Sequence, residues 1–472
     1  MPLFLWLAVG NASAGPFIEG PTPIVYRVIS LVGIGAFCAL CVAMSEKRDK
    51  IDWKLVAWGV GLQIALCSVV LIPGLSASLQ IMGDAVMKLL SFAGDGATFV
   101  FQSVSPHTIE TGFPGASKPE FYVGTGNGIS PPMKTFAFWV LPTIIFFSAF
   151  SNVLYYFGIL QLIVKGVAWA MQKTLGTSGA ETVCTAGNIF LGQTEAPLLV
   201  RPFLAKMTRS ELMSVMVGGF ATIAVGVLGL YASVLKAIPD IGGHLIVASI
   251  ISAPATFVCA KILVPETEKA ETAGSAAIEL PRSEGNLLQV IAVGAGDGTR
   301  LAINVAGMLI AVVALVAMVN AAISYVPLTM CDGSPVGGYA CATGVTAHPL
   351  DLQTILGWIF FPFALLMGVP PSEAGVVGRL LGEKLVLTEL VAYFDMGSIL
   401  DGPTPQMSLR TAIITAYALC GFANFASIGI QIGGIGALAE NRIKDLAELG
   451  FKAMIAGSIA TCMTGAVVGL FV

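Results

Sequence analysis

Residues 187–202 read GNIFLGQTEAPLLVRP, and within this apolar run Gln193, Thr194 and Glu195 stand side by side with Pro197 close behind. An amide, a hydroxyl and a carboxylate in sequence offer both donors and acceptors to a polar solute. Pro197 removes a backbone donor and disfavours helix at the residue before it. Together they describe the tip of a hairpin that enters apolar surroundings and turns back. The alternative is a surface loop in which Glu195 is merely solvated, and the flanks IFLG and APLLV are too apolar for an ordinary loop. A second carboxylate, Glu389, stands in LTELVAY (387–393).

The two acidic segments are related to each other. Ser178, Ala180, Val183, Leu191 and Thr194-Glu195 align with Ser372, Ala374, Val377, Leu385 and Thr388-Glu389 at one offset, since 372 − 178 and 389 − 195 both give 194. Each segment is followed by a similar core, GFAT at 219–222 and GFAN at 421–424. Asn424 and Ser427 are three apart and share a helix face. An Asn inside apolar sequence requires a partner, either a neighbouring helix or a bound solute. The many glycines of 217–229 and 420–437 read chiefly as sites of close helix packing.

The elements that must carry these residues follow from composition. The chain has 472 residues, 56% hydrophobic and 11% charged, with a mean hydropathy of +0.86. Soluble domains carry about 25% charged residues, so this is an integral membrane protein. A net charge of −4 presents no basic face to nucleic acid. There is no G-x-x-x-x-G-K-[ST], which argues against an ATP-driven pump. His107, His244 and His348 are scattered and form no metal-ligand spacing. At membrane depth Glu195 and Glu389 each cost about 2.5–3.5 kcal/mol, so each is expected to face a polar cavity.

Apolar stretches long enough to span lie near 24–44, 55–77, 134–157, 210–236, 245–264, 300–325, 409–433 and 451–471. They are continuous rather than alternating, which implies helices and not a barrel. Basic residues gather after the first span (Lys47, Arg48, Lys50, Lys54), after the third, around the 266–286 linker and before the last (Arg442, Lys444, Lys452). That distribution places both termini outside. Segments 178–203 and 372–395 are then entered from opposite sides, an inverted repeat of the kind from which secondary transporters are built. Segments 79–97 and 351–370 are expected at the interface or tilted across the bundle. The chain therefore divides into N-terminal helices (1–97), an external loop (98–133), a first repeat (134–264), a cytoplasmic linker (265–299) and a second repeat (300–472). Cys67, Cys184, Cys259, Cys420 and Cys462 read as small core hydrophobes. Cys331 and Cys341 share a polar loop and are candidates for a disulfide. The first residues mimic a short signal peptide without a basic start, and retention is expected.

Several long motifs resemble the concentrative nucleoside transporter family: GNIFLGQTEAPLLVRPFLAKMTRSEL with GGFATIA behind it, LTELVAY, YALCGFANFASIGIQIGGIGALA (417–439), KTFAFWVLPTIIFFSAFSNVLYYFGILQ (134–161) and LAELGFKAMIAGSIATCMTGAVVGL (446–470). The resemblance covers most of the chain from about residue 134 onward and, more weakly, the first two spans. It implies an all-α membrane protein with eight transmembrane helices and two opposed re-entrant helical hairpins in an inverted repeat, assembled as a homotrimer in the cytoplasmic (inner) membrane. It also implies a symporter that imports nucleosides, usually with Na+ and in some members with protons, without a further cofactor. By the same resemblance Gln193, Thr194 and Glu195 contact the nucleobase, Glu389, Asn424 and Ser427 the ribose, and Phe422 and Val227 flank the base. Na+ falls to the side chains of Asn188 and Thr222 and the carbonyls of Leu191 and Ile223. Thr222 stands where some relatives carry Ser, and the hydroxyl survives. The outward loops 98–133 and 326–350 are longer than in compact bacterial members.

The residues themselves agree with this picture. Gln193 suits an amide-like base edge, and a carboxylate at 389 suits two vicinal hydroxyls through charge-assisted bonds. Alternatives remain: coupling to protons through Glu195, transport of a free base, or transport of an organic acid. An anion would want a cation or a helix N-terminus, and neither hairpin tip has an adjoining Lys or Arg. An enzyme finds no nucleophile–base pair in the sequence, and Glu195 with Glu389 would serve only if they faced one water.

Overall fold

The computed structural model describes residues 17–18, 23–71, 76–101, 141–274, 286–323, 325, 329–331, 347–402 and 405–472. The Cys331–Cys341 pairing, the leader-like N-terminus and the loop 102–133 lie outside them. The described chain is helical apart from one antiparallel ribbon, β1 (Thr329–Cys331) with β2 (Ala347–Pro349), in which Met330 faces His348.

The chain opens with α1 (Ile24–Ala43), α2 (Trp53–Leu71) and α3 (Ser76–Phe101), followed by α4 (Leu141–Tyr156) and α5 (Ile159–Leu175). The first acidic segment forms α6 (Gly179–Asn188), a turn, a 3-10 helix Ala196–Val200 and the short α7 (Arg201–Leu204). Then come α8 (Arg209–Ala221), α9 (Val225–Val234) and α10 (Ile241–Leu263). The second half runs α11 (Leu287–Ile323), α12 (Leu352–Leu366), α13 (Pro371–Val386), α14 (Glu389–Leu400), α15 (Leu409–Leu419), α16 (Phe425–Leu438) and α17 (Ile443–Gly469). Two helices, a helical hairpin, a broken helix and a long helix thus occur twice in the same order.

Three described helices, Ile24–Ala43, Ile241–Leu263 and Glu440–Gly469, are long and apolar enough to cross a membrane individually. The expected spans 210–236 and 409–433 are each broken. The first loses helix at Thr222–Ala224, where Thr222 (φ −124°, ψ 166°) and Ala224 (φ −73°, ψ 144°) are extended. The second loses it between Leu419 and Asn424, and the Asn424 side chain caps the restarted helix by accepting from Ser427 N at 2.9 Å. Gly421 is required there by close approach, because a Cβ would lie 2.6 Å from the Phe220 carbonyl oxygen. The two breaks therefore pack backbone to backbone.

Other boundaries also differ from expectation. The span at 134–157 does not lead into a basic loop but turns through 78° into amphipathic α5. Gly158 makes this corner with φ +77°, a left-handed conformation that costs glycine little. Leu160, Val164, Ala168, Met171 and Leu175 bury one face of α5, and Lys173 lies 5.1 Å from the Trp169 ring centroid. Segment 79–97 belongs to a 26-residue helix packed on α10, α4 and α9 rather than a peripheral one. Helix α11 begins at Leu287, inside the stretch 265–299 read as linker, and at 37 residues is about 55 Å long.

The basic segments meet at one end of the bundle. Glu46, after α1, pairs with Arg209 at the start of α8 (3.4 Å) and with Lys452 in α17 (2.7 Å), and Arg209 also pairs with Glu448 (3.1 Å). Burial works against the Glu46 carboxylate, but the hydrogen bonds and charges of Lys452 and Arg209 outweigh it and hold its pKa below the ordinary value. The starts of α6 and α8 lie at this end as two capping boxes, Ser178 with Glu181 and Thr208 with Glu211. They are tied by Ser178 Oγ donating to Glu211 Oε1 at 2.5 Å, and Lys261 from α10 closes the cluster 2.8 Å from Glu181.

The second hairpin starts at the other end. Glu373 of α13 accepts from Ser408 N at 2.8 Å, while Arg410 donates to the carbonyls of Gly368, Gly469 and Val472 at the far end of α17. Along α17 the Lys452 and Gly469 contacts are 17 residues apart, which separates the two clusters by about 26 Å.

Lys261 and Lys206 provide a contrast in what an ion pair contributes. Lys261 is 6% exposed beside Glu181, whereas the Lys206–Glu271 pair is 68% and 46% exposed. Lys261→Met is expected to strand buried carboxylates and cost about 3–5 kcal/mol, whereas Lys206→Met should cost about 0–1 kcal/mol. Thermal unfolding of the two purified variants checks this; equal shifts would contradict the assignment.

Candidate functional site

Between the two hairpins lies a cavity of about 120 Å³. Its polar wall comes from the turn after α6, carrying Gln193, Thr194 and Glu195, and from the start of α14, carrying Thr388 and Glu389. The second break and α16 add Phe422, Asn424 and Ser427, while Val227 projects from α9. Ile144, Leu301, Val305 and Ile430 complete an apolar wall. All eight residues assigned to solute from the sequence thus line one space.

Each polar group is placed by local structure. Thr388 is the N-cap of α14 and accepts from Val391 N, so Glu389 sits in the first turn, where the helix N-terminus favours a negative charge. The Glu389 carboxylate is 4% exposed. Its Oε1 accepts from Tyr231 OH at 2.8 Å and its Oε2 from Asn424 Nδ2 at 3.0 Å. Tyr231 in turn stacks on Tyr393, with ring centroids 4.4 Å apart. Gln193 Nε2 donates to Ser427 Oγ at 3.2 Å, and Gln193 Oε1 accepts from Gln431 Nε2 at 3.1 Å. Gln431 also donates to the Met216 carbonyl at 3.1 Å, joining the first hairpin's tip to α8 and α16. Glu195, by contrast, is exposed.

The residues assigned to a cation gather beside this cavity. Asn188 is fully buried at the end of α6, and neither its Oδ1 nor its Nδ2 has a hydrogen-bond partner. The buried Thr185 hydroxyl is likewise unpartnered. Both lie against Gly218, where a Cβ would be 3.0 Å from Asn188 Nδ2 and 3.4 Å from Thr185 Oγ1. Thr222 Oγ1 donates to the Gly218 carbonyl at 2.8 Å, which leaves its lone pairs free. Leu191 and Ile223 lie in the non-helical stretches that follow α6 and α8. Buried polar atoms are nearly always paired, so an orphaned amide and hydroxyl at the end of a helix suit a hard cation that takes oxygen ligands.

The comparisons with known proteins bear directly on this arrangement. Family models described as "Na+ dependent nucleoside transporter N-terminus", "Nucleoside recognition" and "Na+ dependent nucleoside transporter C-terminus" match residues 32–104, 137–238 and 244–469. An uncharacterized transporter of Haemophilus influenzae is 38% identical over 94% of this chain and 97% of its own length. The chain belongs to the sodium-dependent, concentrative nucleoside transporter family. Relatives in that family are transporters rather than enzymes. The sodium/nucleoside cotransporter 1 of Rattus norvegicus is 36% identical over 99% of this chain, which spans 66% of that relative's length. Among solved structures, CNTnw in an inward-facing substrate-bound state is 37% identical with a TM-score of 0.79, covering 94% of this chain and 98% of that one. A CNTnw variant in an outward-facing state is also 37% identical, with a TM-score of 0.80 over 95% and 98% of the two chains.

Sequence reasoning missed Tyr231, Gln431 and Thr185. The first two carried a legible signal: Tyr231 lies four residues after Val227, and Gln431 four after Ser427, so each shares a helix face with an assigned residue. Tyr231→Phe removes a bond to a charged group and is expected to cost about 1.5–3 kcal/mol. The check is the unfolding temperature of the solute-free protein, and an unchanged value would mean that Glu389 does not depend on Tyr231.

Proposed function

We propose that the chain is a sodium-coupled symporter that imports nucleosides across the cytoplasmic membrane by alternating access. In this reading eight spans and two re-entrant hairpins form an inverted repeat, the protein works as a homotrimer in lipid, and it resides in the inner membrane. The observation that carries the reading is the single cavity in which the first hairpin's Gln193 and the second hairpin's Glu389 meet. The similarity to a transporter solved in a substrate-bound state supports it.

The roles follow from chemistry. Gln193, held by Ser427 and Gln431, presents an amide to a base edge, with Thr194 and Glu195 beside it. Phe422 and Val227 give the base an apolar seat. Glu389 already has one donor on each oxygen, Tyr231 and Asn424. Each oxygen keeps lone-pair capacity for a ribose hydroxyl, so the carboxylate takes both hydroxyls in charge-assisted bonds. Na+ would be held by Asn188 and Thr222 side chains and the Leu191 and Ile223 carbonyls. Its binding orders the turn that carries Gln193, and solute binds the ordered turn more tightly. One Na+ moving through 100 mV adds about 2.3 kcal/mol of drive.

Uptake of radiolabelled uridine and adenosine into proteoliposomes, with and without a sodium gradient, tests the reading; uptake indifferent to sodium but driven by a proton gradient would favour the proton-coupled alternative. Glu389→Gln should abolish uptake while the protein still inserts, and normal uptake would remove the ribose role. Thr222→Ala should raise the sodium concentration for half-maximal uptake, and an unchanged value would reject that ligand.

A further inference from the structure

The second half of the molecule has no counterpart of the orphaned Asn188 amide. At the repeat offset the equivalent position is Gly382 (188 + 194), two residues before Lys384. Lys384 is 2% exposed, and its ammonium donates to the Ala418 carbonyl at 2.9 Å and to the Thr461 hydroxyl at 2.9 Å. Both partners are neutral; among the described residues no carboxylate is in direct contact with it, and Glu389 five residues on acts on it only through space. A buried ammonium with no carboxylate in direct contact is expensive, so the neutral groups around it must also favour a cation. Ala418 lies in the last turn of α15, where the final carbonyls lack helical donors and carry the negative end of the helix dipole.

That place resembles the cation candidate of the first half in its make-up, although residue for residue Ala418 aligns with Met216. There, Gly218 in the last turn of α8 lies beside Asn188 and Thr185, and a Cβ on it would be 3.6 Å from the methyl of Thr256 in α10. In the second half Gly421, the counterpart of the neighbouring Gly219, lies just past the end of α15, and a Cβ on it would be 2.8 Å from the methyl of Thr461 in α17. Helices α10 and α17 each follow the broken helix of their own half. A helix C-terminus at a break, a threonine from the following long helix and a hairpin arm therefore meet in both halves. In the first, the meeting point holds unpartnered polar atoms; in the second, it holds an ammonium.

We propose that Lys384 is a tethered cation that fills, in the second half, the position taken by the dissolved coupling cation in the first. The protein then carries one dissolved cation fewer than its two-fold build would accommodate. The proposal rests on the sodium site assigned above.

Two substitutions separate charge from bulk. Lys384→Ala opens the position to a dissolved cation, whereas Lys384→Met fills it with an uncharged stem. Uridine uptake and charge movement are measured in proteoliposomes over a range of sodium concentrations, with folding followed by size-exclusion and thermal unfolding. Lys384→Ala should gain one order in sodium and one extra charge per uridine relative to the unaltered protein. Lys384→Met should gain neither and should bind uridine about tenfold or more weakly at saturating sodium. Lys384→Ala with the unaltered order and charge count, or unfolded at every sodium concentration, overturns the proposal, as does a Lys384→Met protein that behaves like the unaltered one. Sodium-independent uptake by the unaltered protein would defeat the sodium reading alone, because the predicted gain is a difference between variants.

Discussion

A helix interrupted in apolar surroundings exposes carbonyls at one cut end and N–H groups at the other, and these must be satisfied from nearby. This chain interrupts its helices repeatedly around one space, and most of the polar architecture answers that demand. At the restarting ends, Thr388 caps α14 and Asn424 caps α16. Glu389 gains from the N-terminus that Thr388 begins, and Asn424 serves twice, accepting from Ser427 N and donating to Glu389. The groups that cap the cut helices are thus the groups that line the cavity, so binding chemistry and backbone satisfaction share the same atoms.

The terminating ends are served differently in the two halves. The last turn of α15 meets the Lys384 ammonium, while the last turn of α8 meets a buried amide and hydroxyl without partners. The halves are alike in element order and unlike in electrostatics. The cluster of Glu181, Glu211 and Lys261 at the start of the first hairpin is tied by the Lys261–Glu181 ion pair and the Ser178–Glu211 bond, and it anchors the hairpin arm away from the cavity-lining turn.

Much of the site was legible because membrane burial makes polar residues conspicuous. Glu195 and Glu389 stood out by cost, and the offset of 194 linked them. Asn188 and Thr222 came from the family resemblance; nothing in their spacing alone marks a cation site. The breaks at Thr222–Ala224 and Cys420–Asn424 were hidden because a single Thr or Asn among apolar neighbours leaves the hydropathy continuous and equally suits an unbroken helix. Helix α5 was obscured by Lys165 and Lys173, which look like loop charges until the buried stripe from Leu160 to Leu175 is traced. Lys384 gave no signal, since a lysine in a moderately polar helix normally points to water, whereas here the tertiary packing of α13 buries it and hands its ammonium to Ala418 of α15 and Thr461 of α17.

The contact of Gly421 with the Phe220 carbonyl has a mechanical meaning. A side chain at 421 would lie 2.6 Å from that oxygen, so the two interrupted helices are keyed together where they cross. Sliding one past the other by a single residue's rise of about 1.5 Å would drive backbone into backbone. The crossing acts as a locked joint that makes the two interrupted helices one rigid unit at the centre of the bundle.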